Sequence, residues 1–232
     1  MTERPILFSA AMVRALLDGR KTQTRRIIKP QPIVHPAGNW SWEGRHGGFA
    51  GAAGTHLDEG FPDAARFWMR IQTGDRLWVR EAHYLTDDGG SEFAVYAADE
   101  DAVREHNKEM EGLAGRIPED VWRRHVKLRP SIHMPHWASR LTLTVSDVRV
   151  QRLHDISEED ARAEGAELDQ ALLAGGLKAT YRGGFSRIWA GIHEPHPNNP
   201  TSWGNNPWVA AYTFTVERQN IDASSQGGPP DV

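Results

Sequence analysis

The stretch Pro5-Ile-Leu-Phe-Ser-Ala-Ala-Met-Val-Arg-Ala-Leu-Leu-Asp-Gly-Arg-Lys-Thr-Gln-Thr-Arg-Arg26 changes its pattern twice, and those changes decide what the chain builds first. Pro5 to Ser9 is an apolar run of the length of a short buried strand. From Ala10 to Asp18 the spacing becomes helical: Phe8, Met12 and Leu16 recur on one side, Ser9 suits an N-cap, and Gly19 suits the left-handed residue after a helix. A compact βα unit therefore delivers the chain into the basic run Arg20 to Arg26. Pro30 and Pro32 then forbid any continued helix.

Outward from this unit the elements are mostly strands. Residues 31–70 are rich in Pro, Gly, His and Trp without periodicity and read as an insertion. Gly74-Asp75 is a turn, Arg76 to Glu81 alternates like a strand, and Glu92 to Ala97 is its expected partner. Asp99 to Arg124 is helix-permissive, interrupted at Gly115 and Pro118. Leu141, Leu143 and Val145 alternate, and the phase then slips to Val148 and Val150 across Ser146-Asp147, as in a long bulged strand. Ser157 opens a short helix that ends at Gly165. A second helix is expected over Gly183 to Gly191. In the last strand Trp208, Ala210, Tyr212, Phe214 and Val216 share one face. With several strands, few helices and no regular βα alternation, the expected class is α+β, a β-barrel decorated with helices and a long insertion. One domain over 1–218 is expected, with insertions at about 31–70 and 98–127 and a disordered tail at 219–232.

The composition removes whole classes of chemistry. The 232 residues contain no cysteine, so a thiol nucleophile, a disulfide framework and a thiolate zinc site are excluded. The longest apolar stretch, Trp208 to Val216, is too short to span a bilayer, and the first residues lack a signal-peptide pattern, so a soluble, cytoplasmic protein without a membrane partner is expected. The net charge of −4 conceals strong segregation. Residues 1–30 carry seven Lys/Arg and two acids, and 121–153 carry seven and one; 87–112 carry nine acids and two bases, and 155–169 carry seven and one. Side by side, the basic segments would form a footprint for a phosphate-bearing ligand. Taken alone, the segregation reads as solvated faces that neutralise each other.

Gly19-Arg-Lys-Thr-Gln-Thr-Arg-Arg26, Gly74-Asp-Arg-Leu-Trp-Val-Arg80 and Asn206-Pro-Trp-Val209, in that order, resemble the ASCH domain of the PUA-like superfamily. The resemblance is closest to the large, tryptophan-rich ASCH proteins of phages and prophages, and it covers most of the chain. It implies a PUA-like barrel. Within that superfamily the small bacterial N4-acetylcytidine amidohydrolases carry a similar Gly-Arg-Lys-Thr-x-Thr element. The resemblance implies Lys21 as base, Thr24 as nucleophile and Glu164 as proton donor, because Ile156 to Glu164 resembles the family's short helix. The chain departs from the pattern at Arg25, where the family is apolar, and in its greater length.

Considered without the family, the chemistry sets a geometric condition. A threonine hydroxyl needs a base within reach, and lysine serves as one only when burial or nearby cations weaken its hold on a proton; Arg20, Arg25 and Arg26 are such cations. Residues 21 and 24 meet in a turn or helix and lie on opposite faces of a strand. The break at Gly19 is compatible with a turn. Thr22 competes with Thr24 for the nucleophile role. The bland alternative is a basic loop that caps a helix and touches phosphates. Glu164, in the last turn of its helix, sits where the macrodipole disfavours a carboxylate.

A second constellation is Arg129-Pro-Ser-Ile-His-Met-Pro-His-Trp-Ala-Ser-Arg140. His133, His136, Trp137 and Arg140 would stack a base and hold a phosphate, with Trp78, Glu81 and His83 lining the same pocket and Glu81 reading an exocyclic amine. No third ligand is spaced to join His133 and His136 at a metal, and no cofactor is called for. The expected partner is a nucleoside or nucleic acid, RNA or modified DNA. The expected activity is removal of an N-acyl group from a cytosine-type base, with a non-catalytic nucleic-acid reader or a ribonuclease as the alternatives.

Overall fold

A computed structural model describes residues 1–44, 47–51, 54–87, 91–168, 170–176, 178–193, 196 and 198–223. Its elements begin with β1 (Glu3–Leu7), α1 (Ala10–Leu17), β2 (Gln23–Ile27), β3 (Ile33–Val34), β4 (Trp40–Gly44), β5 (Gly47–Ala50) and α2 (Leu57–Arg66). They continue with β6 (Arg76–Arg80), β7 (His83–Asp87), β8 (Glu92–Tyr96), α3 (Glu100–Leu113) and α4 (Glu119–His125). The chain closes with β9 (Thr142–Arg152), α5 (Glu158–Ala163), α6 (Gln170–Ala174), α7 (Tyr181–Ile192) and β10 (Trp208–Glu217). Two compact units result: Met1–Gly19 with Asp75–Thr144 and the chain from Val216 onward, and Arg20–Gly74 with Val145–Thr215.

In the first unit β1 runs parallel to β6, and β6 pairs antiparallel with the start of β9, from Arg76↔Thr144 to Trp78↔Thr142. Ser9 caps α1 by accepting from the Met12 amide, and Val13 and Leu16 of that helix are buried, as are Leu77, Val79, Leu141 and Leu143. The segment Glu92 to Tyr96 pairs with β7 rather than with β6. The reason is that both edges of β6 are already taken by β1 and β9. Gly115, at φ +74°, and Pro118 separate α3 from α4, and the two helices are tied by Trp122 Nε1 donating to the Met110 carbonyl at 2.9 Å.

The tail begins ordered. Asn220 Nδ2 donates to the Ser139 carbonyl at 2.8 Å, and Ile221 is buried with its carbonyl accepting from Arg76 Nη2 at 2.8 Å. One apolar side chain and one amide suffice to anchor the segment. The expected disorder of 224–232 lies outside the described residues.

In the second unit β2 pairs antiparallel with β10, Val209↔Ile27 through Thr213↔Gln23, and β9 is the other neighbour of β10. Burial along β9 follows the slip expected at Ser146-Asp147: Leu143 and Val145, then Val148 and Val150. Trp208 to Tyr212 is buried on both faces, as a central strand is, rather than on one face alone. Residues 31–70 are more organised than their lack of periodicity suggests. They form the sheet β3-β4-β5 and α2, with Trp40, Trp42, Phe49 and Phe61 meeting edge to face or stacked and Phe61 reaching Trp208 at 4.9 Å. Strands this short cannot display a period, and aromatic contact supplies the cohesion.

The helices α5 and α7 pack around Leu153, Ile156, Ala161, Phe185 and Trp189. Trp189 and Trp208 are core residues, and Trp203 packs against the same cluster. The helix expected at Gly183 starts earlier, at Tyr181, because Thr180 caps it by accepting from the Gly183 amide. Gly184 passes so close to the Glu167 carbonyl that a Cβ would sit 1.8 Å from that oxygen. The protein is thus mixed α+β with several sheets, none closed into a barrel among the described residues.

Candidate functional site

The basic run is extended rather than turned. Lys21 forms a bridge with Glu164, the Thr22 amide donates to the Ala163 carbonyl at 2.8 Å, and the Phe214 amide donates to the Thr22 carbonyl at 2.9 Å, so the β2–β10 ladder continues back through residue 22. Side chains in such a ladder alternate. Lys21, Gln23 and Arg25 therefore share the face toward α5, and Thr22, Thr24 and Arg26 share the other. The contacts agree: Lys21 Nζ lies 2.8 Å from Glu164 Oε2, Gln23 Nε2 lies 3.0 Å from Asp160 Oδ1, and Arg25 spans Glu164 Oε1 at 3.1 Å and Asp160 Oδ2 at 2.7 Å.

This network is buried. The Lys21 and Arg25 side chains are 0% exposed and that of Glu164 is 4% exposed. Lys21 Nζ also donates to the Glu164 backbone carbonyl at 2.8 Å, satisfying a group at the end of α5 that has no partner within the helix. The oddity of a carboxylate at this helix end is resolved, since two buried cations outweigh a weak dipole. Burial lowers the Lys21 pKa from its ordinary 10.5; Glu164 opposes the shift, and Arg26 and Arg25 reinforce it. Burial pushes Asp160 upward, but the Arg149 hydrogen bond, the Arg25 charge and the Gln23 hydrogen bond outweigh it and hold the carboxyl below its usual range. Lys21 and Glu164 thus meet, while Thr24, equally buried, lies on the far face of the strand from Lys21. Arg20 lies at the margin, 3.8 Å from Glu167.

On the Thr24 and Arg26 face, within the same unit, lies a cavity of about 210 Å³. Its polar and aromatic walls are Arg26, Lys29, Arg70, Trp42, Trp68 and Tyr212, with no carboxylate among the lining residues. Trp42 is fixed by its Nε1 donating to the Pro30 carbonyl at 2.8 Å, whereas Trp68 is 44% exposed at the opening. Burial weakens the hold of Arg26 on its proton, with Glu164 and Tyr212 opposing. Burial also pushes the Tyr212 phenol up to about 12, against the opposing charge of Arg26. Sequence reasoning found Arg26 and missed the rest. Alternation of Lys21, Gln23 and Arg25, with Asp160 and Glu164 four apart on one helix, was a readable signal for the network. Nothing local announces that Trp68 and Arg70 meet Tyr212.

The second constellation lies in the first unit. Glu81 is buried and both its oxygens are engaged by Arg140, Nε at 2.9 Å and Nη2 at 3.1 Å, with Arg140 stacked 3.9 Å from the Tyr96 ring centroid. Burial raises the Glu81 pKa and the Arg140 hydrogen bond opposes it. The pair is committed internally, so Glu81 does not present a free acceptor and Arg140 does not present a free fork. Trp78 packs edge-on to His136 at 5.0 Å and beneath Arg80 at 5.2 Å. His136 Nδ1 lies 3.2 Å from Asp222, His83 is buried, and His133 and Trp137 are exposed. Among the described residues no group of three or more His, Asp or Glu is placed to hold a metal ion, and no helix is long and apolar enough to cross a membrane. Comparison with known protein families, curated proteins and solved structures gives no match for this chain.

Proposed function

We propose that the chain is an ASCH-type, PUA-like barrel protein that recognises a nucleobase together with its phosphate. The observation that carries this reading is the cavity beside Arg26. Three cations and three aromatic rings with no acid match a flat, electron-rich base attached to an anion. Trp68 at the opening stacks the base, Arg26, Lys29 and Arg70 take the phosphate, and the Tyr212 phenol, protonated at neutral pH, donates a hydrogen bond. The buried Lys21–Glu164–Arg25–Asp160 network fixes β2 against α5 and so sets the position of Arg26.

Titration with cytidine 5′-monophosphate, followed by tryptophan fluorescence and calorimetry, tests this. Base–aromatic stacking contributes about 1–3 kcal/mol, so Trp68→Ala is expected to weaken binding roughly 5- to 150-fold. Arg70→Ala is expected to weaken it further as salt is lowered. No saturable binding, or wild-type affinity in both variants, refutes the reading.

A second reading, N-acyl amide hydrolysis, is favoured by one observation: Lys21 and Glu164 are in contact and the Lys21 amine is made less basic by burial. For Lys21 to act as base, its proton must pass to Glu164, and Thr24 must come round to the Lys21 side of the strand. Turnover of N4-acetylcytidine that is lost in Thr24→Ala supports it. Binding without turnover, unchanged in Thr24→Ala, leaves recognition as the function.

A further inference from the structure

We propose that the first unit carries a separate binding site for the phosphodiester backbone of a single-stranded nucleic acid, formed by Arg124, Lys127, Arg129 and His133. These residues line a cavity of about 670 Å³ with Pro130, and no acidic residue joins them in its wall. The side chains of all four are without a carboxylate partner among the described residues, in a protein whose net charge is −4. Several other cations of this unit are neutralised: Arg140 by Glu81, Arg76 by Glu3 and Arg123 by Glu119. Converging cations without a counter-charge repel one another, and an anion entering the cavity relieves that repulsion.

The site is held in shape by backbone rather than by side chains. Arg129 exchanges two hydrogen bonds with His83, at 3.1 and 2.8 Å, and a single 3₁₀ turn over Ser131–His133, closed by His133 N donating to the Pro130 carbonyl at 2.9 Å, sets His133. Arg124 is presented from the last turn of α4. Such preorganisation lowers the ordering cost of binding. The ligand class follows from what lies between the cations. Leu128 and Ile132 are exposed large apolar residues interleaved with Lys127, Arg129 and His133, which gives a strand's bases an apolar surface beside its phosphates. A concave wall of cations suits a chain of phosphates rather than a flat bilayer surface. The volume falls within the range of about 300–1,000 Å³ usual for ligand pockets, larger than a single phosphate needs. The site shares no residue with the cavity beside Arg26 and stands whether or not that cavity binds a base.

Fluorescence anisotropy with labelled oligo(U), measured over a series of salt concentrations, tests the proposal. Each phosphate neutralised on a single strand contributes about 0.7 to the slope of log affinity against log salt, so Lys127→Ala with Arg129→Ala is expected to reduce that slope by about 1.4. Affinity at low salt should fall roughly tenfold or more. Lys127→Arg, which keeps the charge, should retain binding, and circular dichroism of each variant should match wild type. An unchanged slope in the double variant overturns the proposal. So does pyrophosphate binding as tightly as oligo(U), which would mark a small-anion site, or binding to phosphatidylserine vesicles without binding to oligo(U).

Discussion

Replacing Glu164 by Gln separates the two kinds of contribution in the buried network. In the wild type Glu164 pairs with Lys21 at 2.8 Å, while Arg25 is shared between Glu164 and Asp160. Glu164→Gln therefore leaves a fully buried ammonium without its paired carboxylate, facing the Glu164 backbone oxygen at 2.8 Å and the new amide. Removing one partner of a buried pair costs about 3–5 kcal/mol because the other charge is left uncompensated. Lys21→Met leaves the carboxylate with Arg25 at 3.1 Å and should cost less, about 1.5–3 kcal/mol, the value of a lost hydrogen bond to a charged group. The double variant should be more stable than Glu164→Gln alone, because it contains no orphaned charge.

Urea unfolding at pH 7, followed by tryptophan fluorescence and extrapolated linearly, measures all three. The pH dependence sharpens the test. In the unfolded chain Lys21 holds its proton up to about 10.5, and in the fold it releases it at lower pH, so the unfolded state binds more protons and stability rises with pH across that window. Without Glu164 the window widens, and the deficit of Glu164→Gln should shrink as pH is raised toward 10.5. A loss below about 1 kcal/mol, or Lys21→Met costing as much as Glu164→Gln, would refute the account of a buried, charge-paired network.

The acid limb of stability should depend on Asp160. Its folded pKa is held below the usual 3.8, so its contribution is present above that value and is lost as pH falls through the folded pKa; Asp160→Asn should flatten that limb in acid titration by circular dichroism. In α7, Gly184→Ala should destabilise by about 1–3 kcal/mol, because the added methyl meets backbone that cannot step aside. Gly191→Ala in the same helix meets nothing within 4 Å and should be neutral or stabilising by up to about 1 kcal/mol, so thermal melts that rank the two equally would discount the close approach.

What the sequence determined by itself was local. Ser9 capping α1, the phase slip in β9 and Ser157 opening α5 are encoded within a few neighbouring residues, and each is present; the last strand forms too, but its first half is buried on both faces instead of alternating. The charge segregation was legible too, and its bland reading applies to the first basic run: Lys21 and Arg25 are neutralised by Asp160 and Glu164 of the 155–169 acidic segment. Which strands become neighbours was not legible, because pairing depends on which edges remain open: β8 joined β7 once β6 was flanked. Only the tertiary structure placed Lys21 and Thr24 on opposite faces, since a run after Gly19 turns or extends according to the partner it meets, and here β10 and the end of α5 extend it. The tertiary structure also divided the candidate residues, committing Glu81 to Arg140 and leaving Arg124, Lys127 and Arg129 without a carboxylate partner among the described residues around a cavity. Sequence sets which charges exist; burial and distance decide which are satisfied within the fold and which remain for a ligand.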